Sequence, residues 1–433
     1  MKDARKVKAG STRRGRSAAA KTLDSPARCQ TLSSRMPPLS VVHACTHLRP
    51  LGGVQTLLRR HLRRDAGVGL DTSSMIWFER EPFEPLSAGR PVTGLGLRWF
   101  DSGWTLRRRL RRQYPATGGE GAVWAYHDLW GLPTAADLDR ASRRVGVIHS
   151  QWEATDALLT AIQGQVDGML CISAATVALS RARLPGLSPD RILLLPLPVD
   201  PPASPPREQD RENAELVIGY CGRIQRHQKR VERLPFIASA LRTAGMSHRW
   251  ELLGAGPDQP ALENAMASVG AKARFHGVQT GDAYWNIVSG WDVIVFTSDF
   301  EGLPIAMLEA MIRGVIPVFP DVDCGGRDYA RRVAPELVYP AADLPGAARV
   351  LTWLQGLGAS GRRMLQERAR DAAAPHGGDA YGRTFSEFSR HLRELPRLSS
   401  TGKAARKAHP GEWLPYGLIG RLPPGHPLRR GYL

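Results

Sequence analysis

Cysteine is scarce in this sequence. Its five copies, Cys29, Cys45, Cys171, Cys221 and Cys324, are odd in number and scattered through 433 residues. That pattern gives no disulfide framework and no zinc spacing, and it points to a reducing, cytoplasmic setting. Long apolar runs are missing too: apolar residues make up 42% of the chain, yet nowhere do the ~18 or more needed to cross a membrane follow one another. The basic N-terminus lacks the apolar segment of a secretory leader. Acids are outnumbered, 41 Asp/Glu against 59 Lys/Arg, for a formal net charge of +18. Such an excess suggests a nucleic-acid binder until it is located. Residues 1–35 carry ten Lys/Arg against two Asp and residues 391–433 eight against two, so the ends hold +8 and +6 and leave +4 for the middle. Without a basic excess or a reader motif in the middle, no nucleic-acid partner is expected.

Both ends are rich in Pro, Gly, Ser or Ala and poor in periodic apolar residues, the composition of solvated tails. The first, residues 1–35, reads as a disordered extension or as residues upstream of a start at Met36. Clustered Lys/Arg in such tails also favours peripheral contact with an anionic membrane, here the inner face. Between the tails, short β-branched and apolar runs alternate with helical spacing. "LSVVHAC", "SMIWFE", "GAVWAYH", "RVGVIHS", "DGMLCIS" and "RILLLPLP" read as strands; "VQTLLRRHLRR" and "WEATDALLTAIQGQ" read as helices. The proline-rich, charged stretch 201–214 cannot hold a central strand and marks a linker. A second series follows, with strands "ELVIGYCG", "RWELLGAG", "ARFHGV", "DVIVFTS" and "VIPVFPD". Alternation of this kind implies α/β architecture: two Rossmann-like, doubly wound parallel-sheet domains, at 36–200 and 215–390.

In such sheets ligands bind where strands end and helices begin. "TSDFEGLPIAMLEAMIRGVIPVF" places Glu301 in a loop after a strand and Glu309 roughly two turns inside the next helix, starting near Pro304. Carboxylates in those positions can accept hydrogen bonds from the hydroxyls of a sugar and a ribose. The run "EGLPIAMLE" resembles the E-x7-E signature of the family-four (group 1) retaining glycosyltransferases of the GT-B fold. The resemblance implies that Glu301 approaches a donor sugar, that Glu309 contacts the nucleotide ribose, and that amides near Ile305 and Ala306 hold the diphosphate. Upstream, "GRIQRHQK" is similar to the family's Arg/Lys clamp, which assigns Arg223 and Lys229 to the departing pyrophosphate; Arg226 and Arg230 lie nearby. Gly222 ends the preceding strand, "LLGAGP" contributes Gly256, "RFHGV" contributes Gly277, and Gly302 follows the first glutamate.

On the other side, "GGVQ" is similar to the family's glycine loop facing the diphosphate, which selects Gly52 and Gly53. "RVGVIHSQ" puts His149 at a strand end, like the family's histidine near the reacting sugar; His127 in "VWAYHDLW" is its rival, with acceptor binding its expected task. The resemblance covers roughly residues 39–385. It departs from the family after "VIPVFPDVDCGG", where Arg327 and Asp328 stand in place of an expected glutamate. "DVD" at Asp321 to Asp323 could imitate a metal-binding acid pair, but no metal is expected. The resemblance implies a retaining, metal-independent hexosyltransferase that needs no cofactor. It would take a nucleoside-diphosphate sugar as donor and a glycan or lipid-linked hydroxyl as acceptor, in glycan, cell-surface polysaccharide or glycolipid synthesis. The alternative is a degenerate, non-catalytic nucleotide-sugar-binding protein. A nicotinamide oxidoreductase is disfavoured because no G-x-G-x-x-G follows the first strand of either domain.

Overall fold

A computed structural model describes residues 37–49, 52–114, 117, 121–135, 138, 142–152, 155–202, 215–398, 410–422 and 426. The first strand begins at Leu39; the expected tail 1–35 and nearly all of the expected linker lie outside the described residues.

Seven strands form the first sheet: β1 (Leu39–Cys45), β2 (Leu70–Ile76), β3 (Val92–Gly94), β4 (Val123–His127), β5 (Arg143–Ile148), β6 (Gly168–Cys171) and β7 (Ile192–Leu194). Six form the second: β8 (Leu216–Cys221), β9 (His248–Leu253), β10 (Ala273–Phe275), β11 (Val293–Val295), β12 (Ile316–Pro320) and β13 (Val338–Tyr339). Strand orders are β3-β2-β1-β4-β5-β6-β7 and β10-β9-β8-β11-β12-β13, and every paired neighbour is parallel. Helical connections force this parallel pairing, since a crossover must return the chain to the same edge. Each sheet reverses direction beside its first strand, between β1 and β4 and between β8 and β11, which opens a crevice at the carboxyl edge. β4, β6, β11 and β12 are buried at every residue, as sheets covered on both faces require; Trp124, Trp250 and Trp291 are among the largest enclosed side chains.

Two short edge strands, β3 and β13, escaped the sequence reading. They are short, not fully buried, and lack the longer β-branched run that frames the equally short β11.

The expected C-terminal tail is a correction. Helix Ala380–Glu394 crosses back to the first domain, where Ser386 Oγ donates to Val68 O at 2.9 Å and Arg143 Nε to Leu392 O at 2.9 Å. Beyond it, Arg191 Nη2 donates to Pro396 O at 2.6 Å. Residues 410–422 also return, with Tyr416 N–H donating to Asp101 O at 2.8 Å and Ser102 bridging Pro415. Leu392, Tyr416 and Ile419 are buried there. The apolar residues are sparse and widely spaced, so composition hid what long-range packing uses.

Candidate active site

β11 ends at Val295, and the loop after it carries Ser298, Glu301 and Gly302 before the helix Ile305–Ile312. Pro304 sits at the N-cap with extended backbone, and Glu309 is the fifth helical residue, little more than one turn in rather than two. Met307 and Leu308 N–H donate to Pro304 O at 3.0 and 3.4 Å, while the amides of Ile305 and Ala306 precede the first intrahelical bond, and the helix dipole adds positive potential there.

The loop after β8 is laced to this one. Asp299 N–H donates to Gln228 O at 3.0 Å, Thr297 Oγ1 to Lys229 O at 2.8 Å, and Gln228 Nε2 to Phe300 O at 3.2 Å. Arg233 adds a hydrogen bond to Thr297 O at 2.7 Å and an ion pair with Asp299 at 2.6 Å. The lacing sets Lys229 Nζ 2.6 Å from Glu301 Oε1, which also accepts from Ser298 Oγ at 2.6 Å. Both charged side chains are largely shielded, Lys229 at 15% and Glu301 at 6% exposure. The geometry also sorts the basic run around them. Arg226 N–H donates to Asp258 at 2.8 Å and Arg230 pairs with Asp299 and Glu232, while Arg223 is exposed and reaches Gln228 Oε1 at 3.4 Å.

Glu309 accepts a short hydrogen bond from Tyr284 Oη, on the helix Gly281–Val288. Burial pushes the Glu309 carboxyl up to about 7, against the pull of that hydrogen bond. Tyr284 was not singled out in the sequence, because nothing local links residues 25 apart.

The selected glycines divide by function. Gly222 follows β8, and a Cβ there would sit 3.5 Å from Lys229 Cε. At Gly256 a Cβ would come within 2.1 Å of Ile224 O, so that glycine lets two loops cross rather than meeting a ligand. Gly277 has left-handed backbone (φ 64) and its carbonyl accepts from Gly254 N–H at 2.8 Å. Gly302 forms an antiparallel bridge with Ser150 of the first domain, and a Cβ there would lie 1.8 Å from His149 O. Gly52 caps the helix Gly53–Arg64, and a Cβ on Gly53 would touch Ile305 Cδ1 at 3.6 Å. The glycine loop therefore faces the start of the Glu309 helix, and the end of β5 faces the Glu301 loop.

His149 and His127 are partners rather than rivals. His149 Nε2 lies 2.7 Å from His127 Nδ1, with the rings parallel, and His127 Nε2 lies 3.0 Å from His43 Nδ1. The chain of rings continues to His61 and Asp65: His43 Nε2 is 3.8 Å from Asp65, whose carboxylate accepts from Thr72 Oγ1 at 2.6 Å and meets His61 Nδ1 at 3.0 Å. Asp128 and Leu129, both with positive φ, turn the chain sharply after β4, and Asp128 Oδ1 accepts from His149 N–H at 3.2 Å. Burial holds His127, His149 and His43 below the usual histidine range, His43 at about 4. For Asp65 burial works the other way, but His61, which also hydrogen-bonds it, and the nearby His43 outweigh it and keep its carboxyl well below normal. His43, His61 and Asp65 were missed in the sequence; a histidine in the middle of the buried strand "LSVVHAC" was the available signal.

Among the described residues, His43, His61 and Asp65 are the group close enough to ligate a metal, with donor atoms within 4.8 Å of one another. Hydrogen bonds already engage His61 and Asp65. The acids of "DVD" are drawn into ion pairs: Arg327 meets Asp323 at 2.6 Å and Asp321 at 3.5 Å, and Arg331 meets Asp321 at 3.0 Å. Arg327, the departure from the family pattern, thus neutralises acids at the end of β12.

Residues 215–354 match a sequence family described as "Glycosyl transferases group 1". A 2-deoxystreptamine glucosyltransferase of Streptomyces kanamyceticus is 27% identical over 290 residues, covering 60% of this chain and 73% of that protein. Solved structures share the fold at low identity. Sucrose-phosphate synthase from Thermosynechococcus elongatus aligns with a TM-score of 0.64 at 17% identity, over 82% of this chain and 99% of that one. The lipopolysaccharide outer core galactosyltransferase WaaB gives 0.61 at 18%, over 81% and 99%. Anabaena HepE, solved with UDP and glucose, gives 0.63 at 13%, over 82% and 100%.

Proposed function

We propose that this chain, whose residues 215–354 match the group 1 glycosyl transferases and whose fold is shared by solved glycosyltransferases, moves a hexose from a nucleoside-diphosphate sugar to a hydroxyl acceptor with retention of anomeric configuration. The observation that carries this reading is the Lys229–Glu301 pair, set at the mouth of the helix Ile305–Ile312 and opposite Gly53 and His149.

In this reading the diphosphate lies across the first-turn amides of Ile305 and Ala306. Lys229 and the exposed Arg223 stabilise the charge that grows on it as the bond from the anomeric carbon to the phosphate oxygen breaks. The bonding electrons leave with the diphosphate. The acceptor oxygen forms its bond on the same face of the sugar, so its proton can pass to the departing phosphate oxygen. Glu301 orients the donor hydroxyls, Glu309 the ribose, and His149 borders the sugar from the first domain. Lys229, Arg223 and the helix amides supply positive charge without routing any step through a metal. Closure over the donor excludes water and strengthens the charge contacts. A glucosyltransferase relative supports a hexose donor. The acceptor is proposed to be a glycan or lipid-linked hydroxyl, reached by peripheral contact with the inner membrane face.

The test is thermal stabilisation of the purified protein by a panel of nucleoside diphosphates and their sugars. A ligand at one hundred times its dissociation constant adds about 2.7 kcal/mol. One base should stabilise selectively, and Lys229→Ala should abolish the shift. For the preferred donor, NMR of the first-formed product should show the donor's anomeric configuration. Absence of any shift across the panel would sink the donor site; an inverted product would sink retention alone.

A further inference from the structure

The segment "RWFDSGWTLRRRLRR", at the start of the helix Gly103–Gln113, carries an aromatic and basic surface that no step of the transfer uses. Trp99 is 71% exposed, Phe100 51% and Trp104 44%, and the C-terminal return sets Trp413 (69%) and Leu418 (49%) beside them. The packing that presents them is specific. Gly417 N–H donates to Trp99 O at 2.6 Å, and Trp104 stacks on Trp413 with ring centroids 6.2 Å apart. Arg98, Arg108, Arg111, Arg112 and Arg421 of the same segments are exposed. The guanidinium of Arg98 lies 5.7 Å from the Phe100 ring and that of Arg108 5.3 Å from the Trp104 ring. The acids of these segments, Asp101 and Glu412, are buried, and Asp101 pairs with Arg109 at 3.2 Å. In sequence, Lys403, Arg406 and Lys407 lead directly into this return.

We infer that this face docks on an anionic lipid bilayer. Indole rings favour the headgroup zone, where an apolar body and a polar N–H are both accommodated, and arginines around them meet lipid phosphates. Leu418 and the tips of Trp99 and Trp413 supply the apolar part of the contact. A second copy of this chain is a poor occupant, because self-pairing would set five arginines against five. A single-stranded polyanion would satisfy the arginines, but Trp104 is already faced by Trp413 and Arg108, and Leu418 offers nothing for a base to stack on. The surface deepens the membrane-proximal part of the functional reading. It moves the attraction from the basic ends of the sequence to a folded patch of fixed composition, oriented by the first domain.

The test uses the full chain in co-sedimentation with phosphatidylcholine vesicles, with and without phosphatidylglycerol, at low and high salt. Binding should require the anionic lipid and weaken with salt. At about five-fold per arginine, Arg108→Gln with Arg112→Gln should lower partitioning by about 25-fold. Trp99→Ser with Trp413→Ser should also weaken binding and remove quenching of indole fluorescence by brominated acyl chains. Nucleotide-induced shifts of both variants, each measured from that variant's own melting temperature, should match the parent's, which keeps this test separate from that of the donor site. Parent-like vesicle binding by both variants would overturn the inference in favour of the tails. So would equal binding to uncharged vesicles, single-stranded RNA binding without vesicle binding, or a dimer that the tryptophan variant dissolves.

Discussion

Glu309 works against its surroundings, since burial pushes its carboxyl up to about 7 while Tyr284 donates to it. Its folded pKa exceeds the unfolded one, so the folded chain holds a proton that the unfolded chain releases, and stability falls as pH rises from about 4.5 to about 7. Glu309→Gln keeps an acceptor for Tyr284 and deletes the titration. Relative to the parent, this variant should gain on the order of 3 kcal/mol between acid and neutral pH, read from paired denaturation curves. His43 has the opposite sign. Its folded pKa is lowered to about 4, so the unfolded chain takes up a proton that the folded one refuses, and stability is lost as pH falls from 6.5 toward 4. His43→Asn should flatten that limb by on the order of 2–3 kcal/mol. The two windows overlap, so differences between variant and parent carry the test better than the parent's own profile. The resemblance to the E-x7-E and Arg/Lys motifs singles out Glu301, Glu309 and Lys229, because each motif lies within one loop or helix. It did not find His43, Asp65 or Tyr284, whose partners arrive from other strands and helices.

At the scale of elements, the contact between the Glu301 loop and the end of β5 should be the sensitive joint. Gly302→Ala places a methyl where His149 O already lies, 1.8 Å away, so the loop and strand must part. Transfer should fall by about 10²-fold, as expected when reacting groups are displaced by around an ångström. Nucleotide-induced stabilisation should persist, because Lys229 and the first-turn amides sit in the second domain. Unchanged kcat/KM in Gly302→Ala would show that transfer tolerates a separated joint. Strands and helices themselves were legible almost throughout: "LSVVHAC" is β1 residue for residue, and the strand readings before and after the linker fall on eleven of the thirteen strands. Their buried, β-branched runs are a local property. The lacing of 228–230 to 297–300 was not legible, because backbone groups in loops carry no side-chain pattern.

Across the whole molecule, no helix among the described residues is long and apolar enough to cross a membrane. The C-terminal return is the feature that changes most between sequence and structure. Truncation before residue 410 should expose the groove that Tyr416 and Ile419 fill, at a cost of about 3–5 kcal/mol for two buried side chains, seen as a lower Tm. A solvated tail would leave Tm unchanged. Alternation of strands and helices determined, from sequence alone, that there would be two parallel sheets, and the E-x7-E run determined where one of them would carry its acids. Both rest on neighbours within a few residues, where periodicity and turn chemistry act. Tertiary structure alone decided that His149 would join His127 and His43, that Lys229 would meet Glu301, that Arg327 would silence the acids of "DVD", and that Trp413 would stack on Trp104. Those pairings depend on which crossovers bring distant strand ends together, and no local pattern encodes that distance.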